Sequence, residues 1–144
     1  MEKGRRLMRY WLFKSEPNTW GWDHQVAKGD QGQEWDGVRN YQARNFMREM
    51  QVGDQGFFYH SVDEKRIVGI VEVCATVHPD STTDDARWEC VDLRALRPIA
   101  RPVSLDRIKD EPRLSDMVLV KNSRLSVQPV TEDEWNIVLE LAGE

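Results

Sequence analysis

What the chain lacks narrows its chemistry first. Its 144 residues include 2 cysteines and 3 histidines. Cys74 and Cys90 fall in separate apolar runs with no CxxC or Cys/His spacing, and His24, His60 and His78 are scattered. A zinc site wants about four convergent ligands, and no such spacing is written here, so both thiols read as buried and reduced. No apolar run nears the roughly 20 residues that cross a bilayer. The apolar stretch after Lys3, Arg5 and Arg6 is too short for the core of a signal peptide. The expectation is a cytoplasmic protein with no membrane partner, no metal and no cofactor.

Positive charge is also short. A net charge of −5 argues against broad duplex binding through many phosphate contacts. Local basic groups remain, at Arg39, Arg44 and Arg48 and again at Lys121 and Arg124, while acid gathers at Asp84-Asp85, Asp110-Glu111 and Glu132-Asp133-Glu134. There is no glycine-rich phosphate loop, internal repeat or heptad. Nor is there a G-x-S-x-G elbow. His60 and Ser61 adjoin, but neighbours on a strand point to opposite faces, which keeps base and hydroxyl apart. No catalytic residue is assigned.

What is present suits one globular domain. Hydrophobic residues make up 40% and charged residues 31% of the chain. That is enough to bury a core without disulfide or metal staples. Arg9 to Lys14 is rich in strand-favouring aromatics and ends at Pro17. Asn18 to Gly32 reads as turn-rich, with Trp20 and Trp22 as core or pocket wall. From Val38 the period becomes helical, with Ala43, Phe46, Met47 and Met50 on one face, Asn40 as a cap and Gly53-Asp54 as the stop. Phe57 to His60 and Arg66 to Val77 read as strands, with Gly69 a bulge or close approach. Another strand runs from Arg87 to Leu96, after which Pro98 and Pro102 punctuate the chain. Ser104 caps a short helix. Thr131 and Glu134 have the capping-box form ahead of a final amphipathic helix. The sum is an α+β domain, a small curved sheet or barrel with short peripheral helices.

The stretch Trp35-Asp36-Gly37-Val38-Arg39-Asn40-Tyr41-Gln42-Ala43-Arg44 stands apart. It sets aromatics, a carboxylate, guanidiniums and amides around a turn glycine at the start of a helix, whose first N–H groups favour acceptor-rich ligands. With Lys14, Ser15 and Glu16 at a strand end, it can wall a base-sized pocket. Aromatics would stack on a planar base, Asn40, Ser15, Glu16 and Asp36 would read its edge, and Lys14, Arg39, Arg44 and Arg124 would meet phosphates. A nucleotide-processing enzyme using Glu16, Asp36 or His60 as acid or base is the rival of another class.

These blocks carry a resemblance. Together with Tyr10-Trp11-Leu12-Phe13-Lys14-Ser15-Glu16-Pro17, Phe57-Phe58-Tyr59-His60-Ser61 and Ser123-Arg124-Leu125-Ser126-Val127-Gln128-Pro129-Val130, the chain resembles the EVE domain of the PUA-like superfamily, a relative of YTH and ASCH domains. Its single-domain bacterial members look closest. The match covers residues 9–143 as one domain, with residues 1–8 a polar extension.

The resemblance implies a PUA-like fold, a curved mixed sheet or pseudo-barrel ringed by short helices. It implies no enzymatic activity, but a pocket that reads a modified base, modified cytosine in DNA first and modified RNA as the alternative. An effector protein would complete the pathway. By motif position, Lys14, Ser15 and Glu16 lie at the rim or floor, with Trp22 and Trp35 as walls. Val38, Arg39 and Asn40 line the cavity, Tyr59, His60 and Ser61 border it, and Arg124, Ser126 and Val127 close it. Thr19-Trp20-Gly21-Trp22 departs from the family pattern by an extra tryptophan and a glycine, which leaves Trp20 and Trp22 as alternatives for the ligand-facing position.

Overall fold

A computed structural model describes residues 8–144; the remainder of the expected N-terminal extension, residues 1–7, lies outside the described residues. Strand β1, Tyr10–Ser15, has Trp11, Leu12 and Phe13 fully buried. Such an unbroken apolar run is what a strand covered on both faces requires. Trp11 and Phe13 enter one core cluster, while Leu12 enters another on the opposite face.

β1 is the penultimate strand of a mixed sheet. It runs parallel to β3, Gln55–His60, and antiparallel to β6, Val127–Val130. β3 pairs with β4, Arg66–Pro79, and β4 with the long β5, Glu89–Ser104. The two-residue β2, Gln33–Glu34, completes the order β2-β5-β4-β3-β1-β6. The sheet is open, and repeated register shifts between β4 and β5 bend it.

Helices cover the two faces. α3, Tyr41–Glu49, buries Ala43 and Met47 in the cluster that holds Trp11 and Phe13, and Asn40 Oδ1 caps it by accepting the Ala43 N–H at 2.8 Å. α6, Glu132–Leu141, starts with the expected reciprocal Thr131–Glu134 box. It sends Trp135 against Phe57 at 4.0 Å and Tyr10 at 4.3 Å, both stacked. Ser104 caps α4, Leu105–Lys109, and a short α5 spans Val118–Lys121. Among the described residues no helix is long and apolar enough to cross a membrane.

Two segments differ from the sequence expectation. The fourth long strand does not stop before Pro98 but continues through Pro98 and Pro102 to Ser104. Beyond Leu93, β5 has no strand on its outer side, and Pro98 adjoins a register shift. Edges and bulges are where a missing donor is tolerated. The segment read as turn-rich forms two short helices, α1 at Pro17–Trp20 and α2 at Trp22–Ala27. Pro17 suits the first helical position, where its absent N–H has no partner to lose. Pro129 lies inside β6, which is an edge strand and so accepts it.

Candidate functional site

Because β1 and β3 are parallel, their C-terminal ends, Ser15 and His60, lie side by side. A cavity of about 470 Å³ opens at this end of β1. Lys14, Ser15 and Glu16 line it, with Thr19 and Trp20 of α1. The segment Gln33 to Arg39 supplies the facing residues, and Ser126 closes the ring.

Two indoles border this space, each held differently. Trp20 is half-buried, and its Nε1 donates to Gln25 Oε1 at 3.0 Å. Gln25 is itself fully buried and donates its Nε2 to the Leu93 carbonyl at 2.8 Å. The Trp20 ring also stacks on His24 at 5.3 Å, and its carbonyl accepts the Ser15 hydroxyl. Trp35 is rooted in the core, only 7% exposed, with its ring edge-on to Phe13 and Phe58.

Between Trp35 and the α3 cap the backbone turns sharply. Gly37 has φ +78°, a conformation open to glycine but strained for other residues. Its N–H donates to Asp80 Oδ2 at 2.8 Å, and Arg39 Nη1 donates to the same oxygen at 3.1 Å. Asp80 Oδ1 accepts from the Thr82 N–H and hydroxyl. Burial alone would raise this carboxyl, but the donors from Thr82, Gly37 and Arg39 outweigh it and hold the pKa at about 2. The Arg39 guanidinium also donates to the Val38 carbonyl and lies 5.5 Å above the Trp88 ring.

The other ionisable groups of the cavity differ in how far they are engaged. Lys14 Nζ donates to the Ser123 carbonyl at 2.6 Å, and partial burial lowers its pKa. Glu34 accepts both the N–H and the hydroxyl of Ser81, and the hydroxyl bond leads in depressing its pKa. Among the described residues, the Glu16 and Asp36 carboxyls have no hydrogen-bond or ion-pair partner. Burial, then the charges of Asp80 and Glu34, push the Asp36 carboxyl above its ordinary range, with Arg39 opposing.

Eight of the residues expected from sequence therefore converge here: Lys14, Ser15, Glu16, Trp35, Asp36, Val38, Arg39 and Ser126. The others take neighbouring positions outside the lining. Trp22 packs edge-on to Phe58, its ring pressed so close to Gly69 that a Cβ there would meet it at 2.4 Å. Gly69 is thus the close-approach point its strand position suggested. Asn40 spends its carbonyl on the α3 cap. Tyr59 sits in the opposite core cluster, where burial pushes its hydroxyl up to about 12. Ser61 donates its N–H to the Ser15 carbonyl, tying the two strand ends together. Val127 is buried core. Arg124 is exposed, its guanidinium without a partner among the described residues. Arg44 lies 4.9 Å over Tyr41 and donates to the Arg87 carbonyl, with no carboxylate attached among the described residues.

His60 accepts the Trp22 N–H at Nε2, 3.0 Å, so Nδ1 carries the proton and donates to Glu64 at 3.0 Å. Both ring nitrogens are in use, which leaves no lone pair for proton abstraction. His78 proves less isolated than its sequence position suggested. Its ligand atom, with those of Glu34 and Cys90, falls in a group within 4.8 Å. His78 nevertheless faces an acceptor at each ring nitrogen, Asp92 Oδ1 at 2.7 Å and the Pro79 carbonyl at 3.0 Å. Burial lowers its pKa, but those two acceptors and the nearby carboxylates reverse the shift. The Cys90 thiol is pushed up by burial and then by Glu34. His78 is thus satisfied by Asp92 and Pro79 and Glu34 by Ser81, while the Cys90 thiol donates to Glu34 at 3.6 Å.

Sequence reasoning missed Gln25, Glu34, Asp80 and Trp88. Only Asp80 left a signal, since Asp80-Ser81-Thr82 after a strand is an Asx-turn pattern.

Comparison with known proteins adds a second line. The family model described as "EVE domain" matches residues 9–141. Mouse thymocyte nuclear protein 1 is 35% identical over 170 residues, 96% of this chain and 75% of that protein. Atu2648 of Agrobacterium tumefaciens superposes with a TM-score of 0.93 at 57% identity, covering 94% of this chain and 93% of that one. Human THYN1, solved in complex with 5-methylcytosine-containing DNA, gives 0.86 at 34% identity, covering 94% and 98%. The YTH domain of Zygosaccharomyces rouxii MRB1 shares the fold at a TM-score of 0.56 and 19% identity, over 94% and 86%.

Proposed function

The chain belongs to the EVE domain family, and from that premise we propose that it is a non-catalytic reader of a modified nucleic-acid base, modified cytosine in DNA. The observation that carries this reading is the cavity at the end of β1, bordered by Trp20 and Trp35 and floored with edge-reading polar groups. Its volume lies in the roughly 300–1,000 Å³ range of small-ligand sites. The human relative bound to 5-methylcytosine DNA, similar over nearly all of both chains, supports the choice of ligand.

A base inside a duplex must first leave the stack, at a cost of a few kcal/mol. Stacking on an aromatic side chain returns about 1–3 kcal/mol per base. Trp20 is the indole best placed for that work. It is half-buried, and Gln25 and His24 have already fixed its ring, so little order is lost when a base arrives. Trp22 supports the sheet behind it. Ser15, Glu16, Asp36 and Ser126 surround the base edge. Arg124 and Arg44, free of carboxylate partners among the described residues, hold the flanking phosphates, while Arg39 is tied to Asp80, Thr82 and the Val38 carbonyl.

The test is binding to oligonucleotides that differ in one cytosine modification, repeated with Trp20→Ala. A preference for one modified form, abolished in the variant, is expected. Equal affinity for every form would sink the reading, and tighter binding to RNA of matched sequence would move it to an RNA reader. Turnover of a nucleotide panel, lost in Glu16→Gln, would make the protein an enzyme.

A further inference from the structure

The cavity's hydrogen-bonding capacity is unevenly spent. Its cationic donors are each partly engaged: Lys14 Nζ by the Ser123 carbonyl, and Arg39 by Asp80, Thr82 and the Val38 carbonyl. Glu34 is occupied by Ser81. Asp36 follows Trp35 directly, lines the cavity, and has an acceptor carboxylate that no described residue uses. Glu16 and Asp36 are therefore the strong acceptors left over for a ligand, and Asp36 is the one set in the wall between Trp35 and the turn at Gly37, whose N–H is pinned to Asp80.

We propose that Asp36 sets which bases the site accepts, by taking a hydrogen bond from an exocyclic amino group and turning away bases that carry a carbonyl there. Cytosine presents an amino donor at this edge, whereas thymine and uracil present an oxygen acceptor. A carboxylate facing that oxygen pairs acceptor with acceptor, leaving both unsatisfied as water is displaced. The methyl group of 5-methylcytosine is shared with thymine, so the tryptophan border alone cannot tell the two apart. Asp36 supplies the missing discrimination. The neighbouring Asp80 and Glu34 carboxylates add negative potential at this position, with Arg39 opposing, which favours a donor-bearing ligand further.

The inference rests on the base-reading function, and one experiment separates the two. Duplexes are compared that carry cytosine, 5-methylcytosine or thymine opposite the same guanine. The mispaired thymine leaves the stack more readily, so any bias in the assay runs against the proposal. Wild-type protein should prefer 5-methylcytosine to thymine by roughly 10-fold or more. Asp36→Asn can rotate its amide to offer either donor or acceptor, and should compress that ratio to within about 3-fold while keeping the wild-type circular dichroism spectrum. An undiminished ratio in the folded variant overturns the role of Asp36 and leaves base reading intact. Equal binding of all three duplexes by wild-type protein overturns both.

Discussion

Gly37 donates its N–H to Asp80 Oδ2 across 2.8 Å, so a carboxylate buried on the β4–β5 connection fixes the turn that starts the cavity's wall. That oxygen also holds Arg39. Asp80→Asn weakens both contacts and should cost about 2 kcal/mol, read as a lower urea midpoint at neutral pH. The sign with pH follows from the depressed pKa of about 2 against an ordinary 3.8. The contribution is present above about pH 4 and fades as pH falls toward 2, so wild type and variant should converge in acid.

Trp20→Ala should weaken binding of the preferred oligonucleotide by roughly 10- to 100-fold, the value of one base stack. Its thermal midpoint should change little, since the ring is half-buried. Trp22→Ala should do the reverse in kind, with a loss of about 3 kcal/mol of stability from the cavity left beside Phe58 and Gly69. Paired melts and titrations of the two variants check this.

Gln25→Leu keeps the volume but leaves Trp20 Nε1 and the Leu93 carbonyl without partners. We expect about 1–3 kcal/mol of lost stability. Oligonucleotide affinity should also fall as the Trp20 ring loosens, with a faster fluorescence anisotropy decay. Unchanged affinity would show that Trp20 needs no such brace.

Arg124→Ala and Arg44→Ala should each weaken binding alike for modified and unmodified sequences, and reduce the slope of log affinity against log salt by about 1. A titration series in salt measures it. A selective loss for the modified base would place these arginines in the base contact instead.

Local chemistry was legible wherever a few adjacent residues decide the outcome. Asn40 ahead of Ala43, Thr131 ahead of Glu134, and Ser104 ahead of Arg107 all cap helices as their spacing indicated. The aromatic runs of β1 and β3 announced strands, and the structure buries both runs. The choice between Trp20 and Trp22 was not legible, because the two straddle Gly21 at the break between α1 and α2. That break's geometry, rather than residue type, sends one indole to the cavity and the other over Gly69. Asp80 and Gln25 act on partners some 40 to 70 positions away in sequence, beyond the reach of any local pattern. Pro98 and Pro102 misled because their meaning depends on β5 having an unpaired outer edge, a property of the whole sheet.

The central claim is that the cavity bordered by Trp20 and Trp35 takes a modified base. Its most direct measurement is the dissociation constant for a DNA duplex bearing one 5-methylcytosine, set against the same duplex unmodified. Tighter binding of the modified duplex, and no such difference in Trp20→Ala, is the expected result. Indistinguishable affinities for the two duplexes in the wild-type protein would contradict it.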